Sequence, residues 1–121
     1  MVTLLLPILV MLSTSCGIDE EKADTNTKSE SDTGKALFIR NGCAVCHGDF
    51  GRGDGPVASS LSPPPRNFSD SLSYKEGSSV DQIAETIKRG VGKSAMPAYP
   101  HLLAEDRRLI AVYIASLQIK P

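Results

Sequence analysis

The sequence has no tryptophan, few other aromatic residues and almost no net charge, and these absences limit what the chain can be. Among its 121 residues are three tyrosines and three phenylalanines, and 13 basic residues nearly balance 14 acidic ones. A near-neutral chain of this length gives no sign of a nucleic-acid partner and has room for one domain at most. We also find no acid pair, base or nucleophile in an arrangement typical of catalysis.

Strand patterns are absent as well, which favours an all-α fold with long loops. Apolar residues recur at helical spacing in the second half of the chain, whereas glycine and proline interrupt the segments between. The sequence predicts helices from Asp32 or Thr33 to Asn41, from Ser79 to Gly90 and from Glu105 to Gln118, the last with Leu109, Val112, Tyr113 and Leu117 as its inner stripe.

The N-terminal quarter is typical of an exported protein. Residues 1–12 are apolar and uncharged but too short to span a bilayer, and small residues then lead to Cys16. This pattern resembles a bacterial lipoprotein signal, which predicts a signal peptide over 1–16 with lipid on Cys16; an ordinary cleaved signal peptide is the alternative. Residues 17–31 are polar and predict a flexible tether, so the folded domain is expected over 32–121.

The motif around which the rest is organised is Cys-x-x-Cys-His, formed by Cys43, Cys46 and His47. This spacing is typical of c-type haem attachment, in which two thiols add to the vinyl groups and the histidine ligates the iron. A redox dithiol normally follows a strand, and none is predicted here. A zinc site needs four ligands, and only His101 could complete the set. A disulfide between the two cysteines would close too small a loop to stabilise much.

The chain from Gly34 to Leu117 resembles the class I, single-haem bacterial cytochromes c. The pieces that carry the resemblance are Gly34 with Phe38, the haem motif, Gly53-Asp54-Gly55-Pro56, residues 61–68, Met96-Pro97 and residues 113–117. The resemblance implies a small cytochrome c fold of three to four helices wrapped around one covalent haem c.

The same resemblance implies roles for individual residues. Gly34 and Phe38 would meet Tyr113 where the first and last helices cross. The carbonyl of Pro56 would accept a hydrogen bond from His47, and Arg66 would lie near the haem propionates, although a solvent-facing arginine is the alternative.

The second axial ligand of the iron is expected to be Met96. It is the one methionine outside the leader segment, and the Met-Pro pair matches the family pattern. A lone methionine is usually core filler, but here the iron needs a ligand. His101 is the competitor, and Tyr99 and Lys93 are more remote choices.

These ligands imply an electron carrier rather than an enzyme. With two filled axial positions, the iron can only exchange single electrons. The expected location is the periplasmic side of a membrane, and the expected partners are membrane-bound redox proteins. Two alternatives remain open: a haem sensor or enzyme with an exchangeable sixth ligand, and a fixed electron-entry subunit of a larger oxidase or reductase. Residues 33–121 carry an excess of three positive charges, which is a weak hint of an acidic partner.

Overall fold

The fold is all-α, as predicted. A computed structural model of the chain describes the backbone of residues 19–119 and the side chains of residues 24–119. Within that range the chain forms no β-strand and folds into four α-helices and two single-turn 3-10 helices. The α-helices are α1 (Asp19–Arg40), α2 (Cys43–His47), α3 (Val80–Arg89) and α4 (Ala104–Ser116), and the 3-10 turns are Ala58–Ser60 and Ser71–Ser73.

Helix α1 begins at Asp19, well before the predicted start at Asp32 or Thr33, so the stretch predicted to be a flexible tether is helical from Asp19 onward. Polar composition led to that error, because the segment has no apolar face to bury. The end of this stretch contacts α4 through polar groups instead. Glu30 pairs with Arg108 of α4 at 2.9 Å, and the hydroxyls of Ser31 and Ser116 lie 3.1 Å apart. The division of the chain at residue 32 remains a prediction.

Helices α1 and α4 cross where the sequence predicted. A Cβ added at Gly34 would overlap the carbonyl oxygen of Leu109, so only glycine allows this close approach. One turn later, Phe38 is fully buried, and its ring meets Tyr113 edge-on with centroids 5.4 Å apart. The expected contact of Gly34 and Phe38 with Tyr113 is confirmed.

Helix α3 also follows its prediction. Ser79 caps its N-terminus in a reciprocal pair with Gln82, and Gly90 follows its last residue. The buried face of α4 differs from the predicted stripe, because α4 packs against α1 on one side and α3 on the other. The buried residues of α4 are Ile110, Ala111, Tyr113 and Ile114, so only Tyr113 of the predicted stripe is among them.

The core formed by these helices is small. Its buried apolar residues are Leu37, Phe38, Phe68, Ile83, Ile87, Ile110, Ala111, Tyr113 and Ile114. Cys43 of α2 and Met96 of the loop between α3 and α4 pack against this cluster with part of their surface still exposed. No helix in the described range has the length and apolar character required to cross a bilayer.

Candidate haem site

The haem motif forms a helix of its own. Gly42, in a left-handed conformation with φ 77°, ends the path of α1, and α2 then occupies the five motif residues. Residues three and four apart lie on one side of a helix, so this turn brings Cys43, Cys46 and His47 to a common side. Both thiols are free of disulfide bonding and half-buried. The three groups that the motif singled out are therefore brought together by local structure alone.

The Cys43 thiol is held in its neutral form. Burial raises its pKa to about 11, and the neighbouring Cys46 adds to the rise, against a smaller opposing effect of a backbone hydrogen bond. A redox dithiol needs the reverse, a surrounding that stabilises the thiolate. The chemistry of Cys43 thus gives no support to the dithiol alternative.

His47 is held by two contacts from a single neighbouring segment. Its Nδ1 lies 3.1 Å from the carbonyl oxygen of Arg66, to which the ring donates its N–H. Its ring stacks on that of Phe68, with centroids 4.4 Å apart and planes 22° from parallel. These contacts fix the ring plane and leave Nε2 as the nitrogen that carries the free lone pair.

Burial also lowers the pKa of His47. The hydrogen bond to the Arg66 carbonyl opposes this effect, and the positive charge of Arg66 adds to it. The ring is therefore neutral at physiological pH, which is the form in which imidazole binds metals.

The carbonyl that pairs with His47 is that of Arg66, not that of Pro56 as predicted. The glycine-rich loop instead donates N–H groups to the end of α2: Gly53 bonds the carbonyl of His47 at 2.8 Å, and Gly55 bonds that of Cys46 at 3.1 Å. Pro56 has no N–H to give and is exposed. The prediction rested on the Gly55-Pro56 pair, which follows the motif closely. The segment that lies beside His47 is instead the later one, residues 66–68.

Phe68 is the residue at the site that sequence reasoning missed. Its N–H donates to the carbonyl of Gly51 at 2.8 Å, and this bond brings the 66–68 segment against His47. The Arg66 guanidinium lies over the ring of Tyr74, 5.1 Å from its centroid. Phe68 lies within residues 61–68, which carried the family resemblance, but no role at the site was predicted for it. The propionate role of Arg66 stays a prediction.

Met96 lies on a loop that folds back onto the end of α3. The Tyr99 N–H bonds the carbonyl of Ile87 at 2.9 Å, and the Val91 N–H bonds the carbonyl of Met96 at 3.3 Å. Met96 is half-buried against the core cluster. His101 is exposed, with its ring centroid 5.8 Å from that of Tyr99.

Tyr99 connects this loop with the cysteine pair. Burial raises the pKa of the Tyr99 hydroxyl, and ionisation of Cys43 or Cys46 would raise it further. Tyr99, Met96 and Cys43 pack against the same buried apolar cluster, so the Met96 loop and the first cysteine of the motif border one region of the molecule.

The donors in this region fit a c-type haem better than a bare metal ion. They are two thiols, one neutral imidazole and one thioether, the set that attaches and ligates haem c. Among the residues that the structure describes, no group of three or more His, Cys, Asp and Glu side chains is arranged to hold a metal ion. A four-ligand zinc site gains no support from this arrangement.

Comparison with known proteins agrees with this chemistry. Residues 31–118 match the family model described as cytochrome c. The structure is similar to a chain of the Kuenenia stuttgartiensis reducing HAO-like protein complex, with a TM-score of 0.63 and 33% sequence identity over 72% of the present chain. The match spans 42% of that longer chain. The present chain belongs to the cytochrome c family, whose members transfer electrons on a covalently bound c-type haem.

Proposed function

We propose that the chain is a one-electron carrier with one haem c, attached through Cys43 and Cys46 and ligated by His47 and Met96. One observation carries the proposal: His47 is oriented by Arg66 and Phe68 and lies on the same helical turn as two free thiols. The haem, when bound, supplies the one-electron chemistry. The residues of the chain attach it, orient it and exclude water from it.

Burial favours Met96 over His101 as the second ligand. Met96 packs against the core together with Cys43, whereas His101 is exposed. A thioether, unlike an imidazole, would not lose the iron to protonation near neutral pH. Because thioether sulfur favours the reduced iron, this choice also implies a higher reduction potential than two histidines would give.

A carrier that supplies both axial ligands from its own chain leaves no open position for a substrate. This is our reason for preferring an electron carrier to a haem enzyme or sensor. A fixed electron-entry subunit is the second candidate, because the similar Kuenenia stuttgartiensis chain is part of a complex and is more than twice as long as the matched region. Co-purification with a membrane complex would favour that candidate.

We further propose that the carrier works on the periplasmic side of a membrane, anchored by lipid on Cys16. Both Cys16 and the leader segment lie outside the described residues, so this proposal comes from the sequence pattern. Helical residues 19–31 would extend about 20 Å at the usual rise per residue. The anchor would then hold the haem domain on a stiff arm, with membrane-bound redox proteins as its partners.

The direct test of the proposed cofactor uses the full-length protein purified from a host that attaches haem c. After denaturation, acidified organic solvent should leave all the haem on the protein, and a spectroscopic redox titration should follow a one-electron curve. Haem that extracts into the solvent, or a content other than one haem per chain, would contradict the proposal.

A further inference from the structure

The backbone of the Met96 loop lies directly on Gly90, the residue that ends α3. A Cβ added at Gly90 would lie 2.8 Å from the nitrogen of Ala98 and from the carbonyl carbon of Pro97, and 3.0 Å from the carbonyl oxygen of Met96. Gly90 has φ 71° and ψ −175°, a combination that is essentially limited to glycine. Both its conformation and its missing side chain are therefore required for the loop to lie where it does.

The hydroxyl of Ser94 forms two hydrogen bonds with backbone groups of the same loop. It donates to the carbonyl of Val91 at 2.8 Å and accepts from the N–H of Met96 at 3.2 Å. The carbonyl of Met96 accepts in turn from the N–H of Val91 at 3.3 Å. Both backbone polar groups of Met96 are thus bonded within the turn that Ser94 closes.

We propose that Gly90 and Ser94 are positioning residues that set where the Met96 thioether lies. The inference rests on the proposed ligation by Met96 and names the residues that control it. A thioether is a neutral, weak ligand, so an external ligand competes with it for the iron. A shift of the Met96 backbone would lower the fraction of protein in which Met96 ligates the iron. The apparent affinity of the protein for the competing ligand would then rise in proportion to the unligated fraction.

A purely structural role makes a different forecast. If Gly90 only ends α3 and Ser94 only closes a turn, substitutions would change the free energy of unfolding and leave the iron environment as it is. The spectrum of the oxidised protein and its affinity for imidazole separate the two roles, because neither depends on global stability while the protein stays folded.

The experiment compares four variants of the full-length haem-loaded protein: Gly90→Ala, Ser94→Ala, Ser94→Thr and Gly92→Ala. Gly92 lies in the same loop, and a Cβ there would meet nothing within 4 Å, so Gly92→Ala is the matched control. Each oxidised protein is titrated with imidazole, and the sulfur-to-iron charge-transfer band is recorded at each step.

We expect Gly90→Ala and Ser94→Ala to weaken the band and to bind imidazole about tenfold more tightly than the wild type, a change that corresponds to about 1.4 kcal/mol. Ser94→Thr restores the hydroxyl and should behave as the wild type, as should Gly92→Ala. If Gly90→Ala does not yield folded protein, the comparison of Ser94→Ala with Ser94→Thr decides.

Wild-type band and imidazole affinity in Ser94→Ala and in any folded Gly90→Ala would overturn the inference. So would an equal change in Ser94→Ala and Ser94→Thr, or in Gly92→Ala. Failure of the proposed function looks different: the band would be absent from the wild type, or would persist in Met96→Ala, before any positioning variant is considered.

Discussion

The imidazole of His47 lies flat on the ring of Phe68, with centroids 4.4 Å apart. Phe68 is itself buried among core residues, where it meets Phe38 edge-on at 6.2 Å. Its carbonyl accepts a hydrogen bond from the hydroxyl of Tyr74 at 2.9 Å. The ring that orients the candidate iron ligand is thus part of the core, so the site and the fold are stabilised by the same contacts.

Replacement of Phe68 by alanine is therefore expected to be severe. Loss of a buried phenylalanine typically lowers the free energy of unfolding by about 3–5 kcal/mol, and denaturant unfolding of the haem-loaded protein measures it. Phe50→Ala is the matched control, because Phe50 is 60% exposed and has Lys35 and Arg52 as cation–π partners. We expect a loss of about 1 kcal/mol or less there; equal losses would contradict the role assigned to Phe68.

Tyr113 gives stability a dependence on alkaline pH. Burial raises the pKa of its hydroxyl, with a smaller contribution from the charge of Asp49. An unfolded tyrosine ionises near pH 10, whereas the folded one keeps its proton to higher pH. The folded state then binds more protons than the unfolded state, so this part of the stability is complete below about pH 10 and is lost as the pH rises further.

Tyr113→Phe tests that relationship. The hydroxyl donates to the carbonyl of Asp49 at 3.0 Å, so its removal should cost about 1 kcal/mol of unfolding free energy at pH 7. The gap between wild type and variant should narrow above pH 10, because only the wild type loses the Tyr113 contribution there. Denaturant unfolding at several pH values measures the gap, and one that stays constant would show that the phenol does not titrate as argued.

Joint replacement of Cys43 and Cys46 by alanine should remove covalent haem and leave a poorly folded chain. Binding and folding are coupled in small domains of this kind, and the buried apolar cluster alone is small. Far-ultraviolet circular dichroism and haem staining after denaturing electrophoresis report the two effects. Cys16→Ser is the matched control and should keep its covalent haem. Covalent haem in the double variant would refute the assignment of the two thiols.

Cys16→Ser should instead release the protein from membranes. Bacterial lipidation supplies several acyl chains, whereas a single chain gives only marginal binding. Cell fractionation and mass measurement of the mature N-terminus compare the variant with the wild type. Wild-type protein in the soluble periplasmic fraction, with no acyl mass, would mean an ordinary signal peptide and a freely diffusing cytochrome.

Features encoded by short spacings were predictable from the sequence. The haem motif is recognised from five adjacent residues, although the helix α2 that it forms was not among the predicted helices. The capped start of α3 needs only Ser79 and Gln82. The Gly34 contact with α4 was reached through family resemblance. In each case the residues that decide the structure are close in sequence or form a recognisable motif.

Features that depend on the path of a long loop were not predictable. The partner of His47 is Arg66 rather than Pro56 because the 66–68 segment, not the loop that holds Pro56, supplies the carbonyl beside the ring. The hydrogen bond from the Phe68 N–H to the Gly51 carbonyl holds that segment in place. The early start of α1 was not predicted either, and Glu30 in that added stretch pairs with Arg108, a partner 78 residues away. Local composition contains neither piece of information.

The identity of the second axial ligand tests the account most directly. The measurement is the near-infrared and visible spectrum of the oxidised wild type, Met96→Ala and His101→Ala, with the reduction potential of each. We expect a sulfur-to-iron charge-transfer band in the wild type and in His101→Ala, and its loss with a lower potential in Met96→Ala. A wild type without the band, or a band that survives in Met96→Ala, would contradict ligation by Met96 and the electron-carrier function built on it.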